Sequence, residues 1–170
     1  MCSSDLRAAS WREVGQRDEL DRWILAELDA TVDAVTRSMD AYDNYNACAR
    51  LTGFVDMLSN WYVRRSRDRF WSNDKRDRDK LDAYWTLYEC LLVTARLIAP
   101  FVPFTAEAIW KNLAGVFEGR ALESVHLADF PVAGGDADEV LRNRMNTLRE
   151  IASLGRAARM ESKLKVRQPL

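Results

Sequence analysis

The chain has a single histidine, His126. No constellation that needs two imidazoles can form within it, and histidine is not the base of a nucleophilic triad built here in the usual way. Cysteine is also scarce. Cys2, Cys48 and Cys90 show no C-x-x-C spacing. Cys48 and Cys90 fall in apolar helical patterns and are expected as buried free thiols, which argues against a disulfide framework or a zinc site and suits a reducing, cytoplasmic setting. The seven glycines never approach G-x-x-x-x-G-K or G-x-G-x-x-G, so no phosphate-cradling loop is present. No apolar run approaches the ~20 residues of a membrane span, and the opening MCSSDLRAAS lacks the apolar stretch of a signal peptide. Charge of one sign is lacking as well. With a net charge of -1 there is no global basic field, and a surface for nucleic acid has to be local.

What is present is a soluble, globular composition: 48% apolar and 30% charged residues in 170, enough for one domain with a real core. The apolar period is helical almost throughout. Over 18–42, Leu20, Trp23, Ile24, Leu28, Val32, Val35, Met39 and Tyr42 recur in steps of three and four, and Asp43-Asn44 breaks the pattern. A second helix is expected over 45–70, with Cys48, Leu51, Val55, Leu58 and Tyr62 on one face and Phe54 and Trp61 beside it. A third should start near Asp79 and end by Ala99, since Pro100 disfavours the helical conformation before it. Thr105 suits the N-cap of a short fourth helix ended by Gly115. Residues 116–135 read as irregular, with a short extended piece over 124–127, and a fifth helix is expected over 137–163. Long amphipathic helices joined by short turns imply an all-α, antiparallel helix bundle.

Acidic residues are spread along helix faces beside arginines and lysines, the pattern of solvated ion pairs rather than of an active site. A binding module is therefore the starting hypothesis. The densest feature is NWYVRRSRDRFW (60–71), with four arginines in six residues flanked by aromatics. Two readings stand open from residue type alone. Arg64, Arg65, Arg67 and Arg69 can offset the negative end of a helix dipole and pair with acids of the next helix. Alternatively they grip RNA: arginine forks bind phosphates and stack on bases, and an exposed tryptophan offers its face to an unpaired base. On the second reading Trp71, near the loop, is the better stacking residue, while the position of Trp61 suggests core. Arg22 joins the same end if the first two helices are antiparallel. A second basic cluster closes the chain, with Arg156, Arg159, Lys163, Lys165 and Arg167, and it too suits either a helix C-terminus or a phosphate backbone.

At these residues the chain resembles a known family. NWYVRRSRDRFW closely resembles a helix of the anticodon-binding domain of isoleucyl-tRNA synthetases, which are class I aminoacyl-tRNA synthetases, and in particular of their eukaryote-like branch. LDRWILAEL (20–28) is similar to the segment that opens this domain in enzymes for branched aliphatic amino acids. LIAPFVPFTAEAIW (97–110) resembles the hinge and helix shared by the isoleucine, valine and leucine enzymes. ESVHLADFP (123–131) and the stretch from GRAAR to KVRQPL (155–170) lean towards isoleucine. Five such strings in order are specific. The valine enzymes usually carry an acidic residue before the Trp-Tyr pair and lack the Arg-Arg-Ser-Arg run.

The resemblance covers 18–170. It leaves 1–15 as an unmatched leader, disordered or foreign to the domain, and makes 16–170 a helical bundle that the family continues beyond Leu170. It implies recognition of the tRNA(Ile) anticodon stem-loop, with Arg64, Arg67, Arg69 and Trp71 facing the loop, Arg22 and Arg65 on phosphates, and Lys163, Lys165 and Arg167 on the stem. The His-Ile-Gly-His and Lys-Met-Ser-Lys-Ser signatures are absent. The implied ATP- and Mg²⁺-dependent ligation of isoleucine, and the editing site, are therefore expected on a catalytic domain outside this sequence, and no cofactor is expected within it. A valine- or leucine-type anticodon domain and a stand-alone helical protein-interaction module are the alternatives.

Overall fold

The structure, a computed structural model, describes residues 12–74, 76–114, 123–135, 138–163 and 165. Helices α1 (Glu19–Asp40), α2 (Asn44–Asp56), α3 (Arg67–Trp71), α4 (Arg78–Ile98), α5 (Pro103–Ala114) and α6 (Glu139–Glu161) account for most of them, with no strand among the described residues. The chain divides into two compact units, 1–137 and 138–170. The first holds α1 to α5, and the second holds α6.

Aspartates start the long helices. Asp18 accepts from Leu20 N at 3.1 Å, Asp43 from Asn46 N at 3.0 Å, Asp77 from Asp79 N at 3.0 Å and Asp138 from Leu141 N at 2.9 Å. Each carboxylate satisfies an amide that the helix leaves unpaired and sits at the positive end of its dipole. Pro103 opens α5, where a missing N–H costs nothing. Thr105 therefore lies inside the first turn rather than at the cap.

α1 and α2 form an antiparallel hairpin. Arg50 of α2 donates to the buried Glu27 of α1 at 3.0 Å, and Val32, Val35, Ala47, Leu51 and Leu97 share one core cluster. α4 lies beside α1 and runs the same way, since its start meets the start of α1 and its end meets Val32 and Val35. α5 folds back on α4 through Ala106 and Trp110, which pack on Ala95 and Val125.

Four further expectations are corrected. The buried face of α2 runs through Ala47, Leu51, Phe54 and Leu58, leaving Cys48 and Val55 exposed, while Cys90 is buried as expected. Both registers satisfy helical spacing, and the larger apolar area of Phe54 decides between them. Tyr42 is not on the stripe of α1 but past its end, at φ 58 and 92% exposed. The single helix expected over 45–70 is broken: after Asp56 it widens into a π-helix over Met57–Val63, then bends at the fully buried Ser66 before α3. Finally, a 3-10 turn, Val125–Leu127, replaces the extended piece, because Ser124 turns its hydroxyl to accept from His126 N at 3.2 Å.

Residues 12–17, at the junction with the supposed leader, are tied to α4. Arg12 pairs with Asp82. The buried Arg17 donates to Glu89 at 3.0 and 3.2 Å and to Thr86 Oγ1 at 3.0 Å. Cys2, Gly115, residues 116–122 and Arg167 lie outside the described residues.

Candidate nucleic-acid interface

One end of the first unit is made by the start of α1, the π-helical turns after α2, the short α3 and the start of α4. The sequence concentrates its arginines here, and the backbone sorts them into two groups. A π-turn holds an extra residue, so it rotates the downstream side chains relative to the α-helical stripe. Beyond it, Arg64, Arg65 and Arg67 are exposed. The guanidinium carbon of Arg65 lies 4.1 Å from the ring centroid of Trp61, so half-buried Trp61 serves as the platform for a cation rather than as pure core.

Arg69 behaves differently. Its side chain keeps 14% of its accessibility. It donates from Nη1 and Nη2 to the two carboxylate oxygens of Asp21 at 2.9 and 2.6 Å, and from Nε to Asp79 at 2.8 Å. Asp21 is fully buried and also accepts from the Tyr62 hydroxyl at 2.6 Å. Burial opposes the charge on Arg69, but the bonds to the two carboxylates outweigh it and raise its pKa. Burial also pushes the Tyr62 phenol up, and Asp21 adds to the shift. Unlike its exposed neighbours Arg64, Arg65 and Arg67, which the resemblance groups with it, this guanidinium joins three segments through Asp21 and Asp79.

Trp71 ends α3 and is 75% exposed. Its neighbours are held inward. Phe70 packs edge-on against Tyr84 with ring centroids 5.0 Å apart. The backbone oxygen of Ser72 accepts from the buried Lys80 Nζ at 2.5 Å. The result is a flat indole presented to solvent beside exposed Arg67. Arg22, half-buried, belongs to the same end, as the antiparallel α1–α2 hairpin requires. Sequence reasoning missed Asp21, Tyr62, Asp79 and Lys80 as the supports of this surface. Asp21 carried a usable signal: it falls on the buried side of α1, in helical step with Ile24 and Leu28, and a buried acid needs a partner.

In the second unit, Lys163 and Lys165 are exposed just past α6, and Arg159 Nη1 donates to the Lys165 carbonyl at 3.2 Å. Among the described residues no group of three or more His, Cys, Asp or Glu could hold a metal ion, and no helix is long and apolar enough to cross a membrane.

Comparison with known families decides what kind of domain carries this surface. The family described as the anticodon-binding domain of tRNA ligase matches residues 21–170. The chain belongs to that family. Its relatives include the isoleucine–tRNA ligase of Dehalococcoides mccartyi (strain CBDB1), 51% identical over 92% of this chain. That of Thermus thermophilus is 47% identical over 91%, and that of Deinococcus radiodurans 45% over 98%. In each case the chain spans about 15% of the relative's own length. At the end of the first unit where the second half of the α1–α2 hairpin stops being regular, this domain exposes Arg64, Arg65, Arg67 and Trp71.

Proposed function

We propose that this domain reads the anticodon stem-loop of tRNA(Ile) as part of an isoleucine–tRNA ligase. The observation that carries the reading is the exposed set Arg64, Arg65, Arg67 and Trp71, gathered beside a turn that Arg69 holds in place. An A-form stem hides its base edges in a deep, narrow groove, so tRNA identity has to be read at the unpaired bases of the loop. Trp71 offers a stacking face for one such base, and Arg64 and Arg67 supply forks for a base edge or a phosphate. Arg65, already stacked on Trp61, and Arg22 contact phosphates. Lys163, Lys165 and Arg167 lie along the stem.

The assignment to isoleucine rests on relatives of 42–52% identity that carry that name and on the Arg-Arg-Ser-Arg run, which also supports the eukaryote-like branch. Activation of isoleucine with ATP and Mg²⁺ belongs to the catalytic domain of the same polypeptide in the cytoplasm. No step of that chemistry is assigned to these helices.

The test is binding of an RNA stem-loop carrying an isoleucine anticodon, measured across a salt series. Changing Arg64 and Arg67 to Ala should weaken binding and flatten its salt dependence by about one counter-ion for each phosphate no longer gripped. A folded double variant with unchanged affinity and slope would falsify the interface. Stem-loops with valine or leucine anticodons should compete more weakly than the isoleucine one. Equal competition rejects the isoleucine assignment, and absence of salt-dependent binding returns the domain to protein–protein interaction.

A further inference from the structure

The exposed tryptophan sits on a segment that cannot hold itself in place. α3 is five residues long, far below the length at which a helix persists alone, and it comes after a bend at Ser66. Its position is set by two cations, its own part-buried Arg69 and the buried Lys80 of α4. Arg69 ties it to Asp21 in the first turn of α1 and to Asp79 in the first turn of α4. Lys80, from that same first turn of α4, donates to the Ser72 carbonyl immediately past Trp71. Between these anchors Phe70 is pinned against Tyr84, and the Tyr84 hydroxyl also lies 3.5 Å from the Phe70 carbonyl. The side chains of 69 and 70 and the carbonyl of 72 are thus held inward, and the indole of 71 is turned to solvent.

We infer that Arg69, Asp79 and Lys80 are positioning residues for RNA recognition: none touches the RNA, and together they fix the direction in which Trp71 presents its ring. The inference rests on the reading of Trp71 as a base-stacking residue. Its cost is visible in the chain itself. Arg69 and Lys80 are largely withdrawn from solvent and face carboxylates and a carbonyl instead. In exchange, the indole is held in one pose before RNA arrives, so less freedom is lost when a base stacks on it.

Asp79 gives a test with a diagnostic sign. Its carboxylate is half-exposed beside the arginines, so through-space electrostatics alone predicts that Asp79→Asn binds RNA more tightly. Positioning predicts the opposite, since the Nε anchor of Arg69 is weakened. Affinity for the isoleucine-anticodon stem-loop should fall about three- to tenfold in Asp79→Asn, the range for one ordinary hydrogen bond, since asparagine keeps an acceptor but not the charge. It should fall about tenfold in Trp71→Ala, the range for one stacked base. The double variant should be no weaker than Trp71→Ala, because Asp79 acts through the ring. Lys80→Met provides a second arm: it should alter the change in tryptophan emission on RNA binding while the α-helical circular dichroism stays as in the parent chain. Tighter or unchanged binding by Asp79→Asn overturns the inference. So does an Asp79→Asn loss that persists undiminished without Trp71. If Trp71→Ala binds as well as the parent chain, the stacking reading itself fails, a result distinct from either of those.

Discussion

Tyr62 donates its phenolic hydrogen to Asp21 at 2.6 Å, joining the π-helical end of the second helix to the first turn of the first. Asp21 is fully buried and receives two more hydrogen bonds from Arg69, so a carboxylate that would be costly alone has three donors.

Tyr62→Phe removes one of the three donors and leaves the ring in its place. The expected loss is about 1.5–3 kcal/mol, the usual range for a hydrogen bond to a charged group. It should appear as a lower urea midpoint with an unchanged slope, because the surface exposed on unfolding is the same. Asp21→Ala should lose about 3–5 kcal/mol, since it strands the half-buried guanidinium of Arg69. Should Tyr62→Phe cost as much as Asp21→Ala, the ring itself has moved and the hydrogen bond is not the cause.

Much of the fold was legible because local rules and packing agree. The three-and-four spacing of apolar residues marks α1 and α4, and Pro100 marks an end by its ring, whereas the cap expected at Thr105 is displaced because Pro103 opens α5 two residues earlier. The register of α2 was harder to read, because two stripes one residue apart have the same spacing. The interface was half legible. Arginine count and neighbouring aromatics locate it, but an arginine looks the same in sequence whether it faces RNA or a buried aspartate. What separates Arg69 from Arg67 within α3 is the partner Asp21, which is 48 residues away in the chain. No spacing rule within the 60–71 string contains that information.

The junction between α5 and the 3-10 turn at 125–127 depends on pH in a defined direction. Glu107 accepts from the Ser124 hydroxyl at 2.9 Å and from Val125 N at 3.0 Å, and pairs with Lys111 at 3.3 Å. The Ser124 bond leads in holding its pKa below the ordinary 4.5; partial burial opposes it, and Val125 and Lys111 add to it. A carboxylate with a depressed folded pKa stabilises the fold fully above its unfolded value and loses that contribution as pH falls through the folded one. Carboxyl carbon NMR should therefore place the Glu107 midpoint below 4.5, with the Val125 amide proton tracking the same titration. Glu107→Gln should abolish the transition at Val125. A midpoint at or above the ordinary value, or a Val125 signal that ignores it, contradicts the contact.

The turn between α1 and α2 places a tyrosine where glycine is usual. Tyr42 N donates to Met39 O at 3.0 Å and Asp43 N to Ser38 O at 2.8 Å, the paired bonds that close a helix through a left-handed residue. At φ 58 the Cβ of Tyr42 is crowded against its own backbone, at a cost of about 1–2 kcal/mol for an L-residue. The ring, almost wholly exposed, recovers little of that by packing. Tyr42→Gly relieves the crowding, while the greater freedom of glycine in the unfolded chain takes back about 0.5–1 kcal/mol. The net expectation is a gain of about 0.5–1 kcal/mol, a rise of roughly 1–4 °C in Tm for a chain of this size. Tyr42→Asn should fall between glycine and tyrosine, because asparagine tolerates the left-handed region, and Tyr42→Val should be the least stable of the four. If glycine lowers Tm, the ring contributes more to the folded state than its exposure indicates.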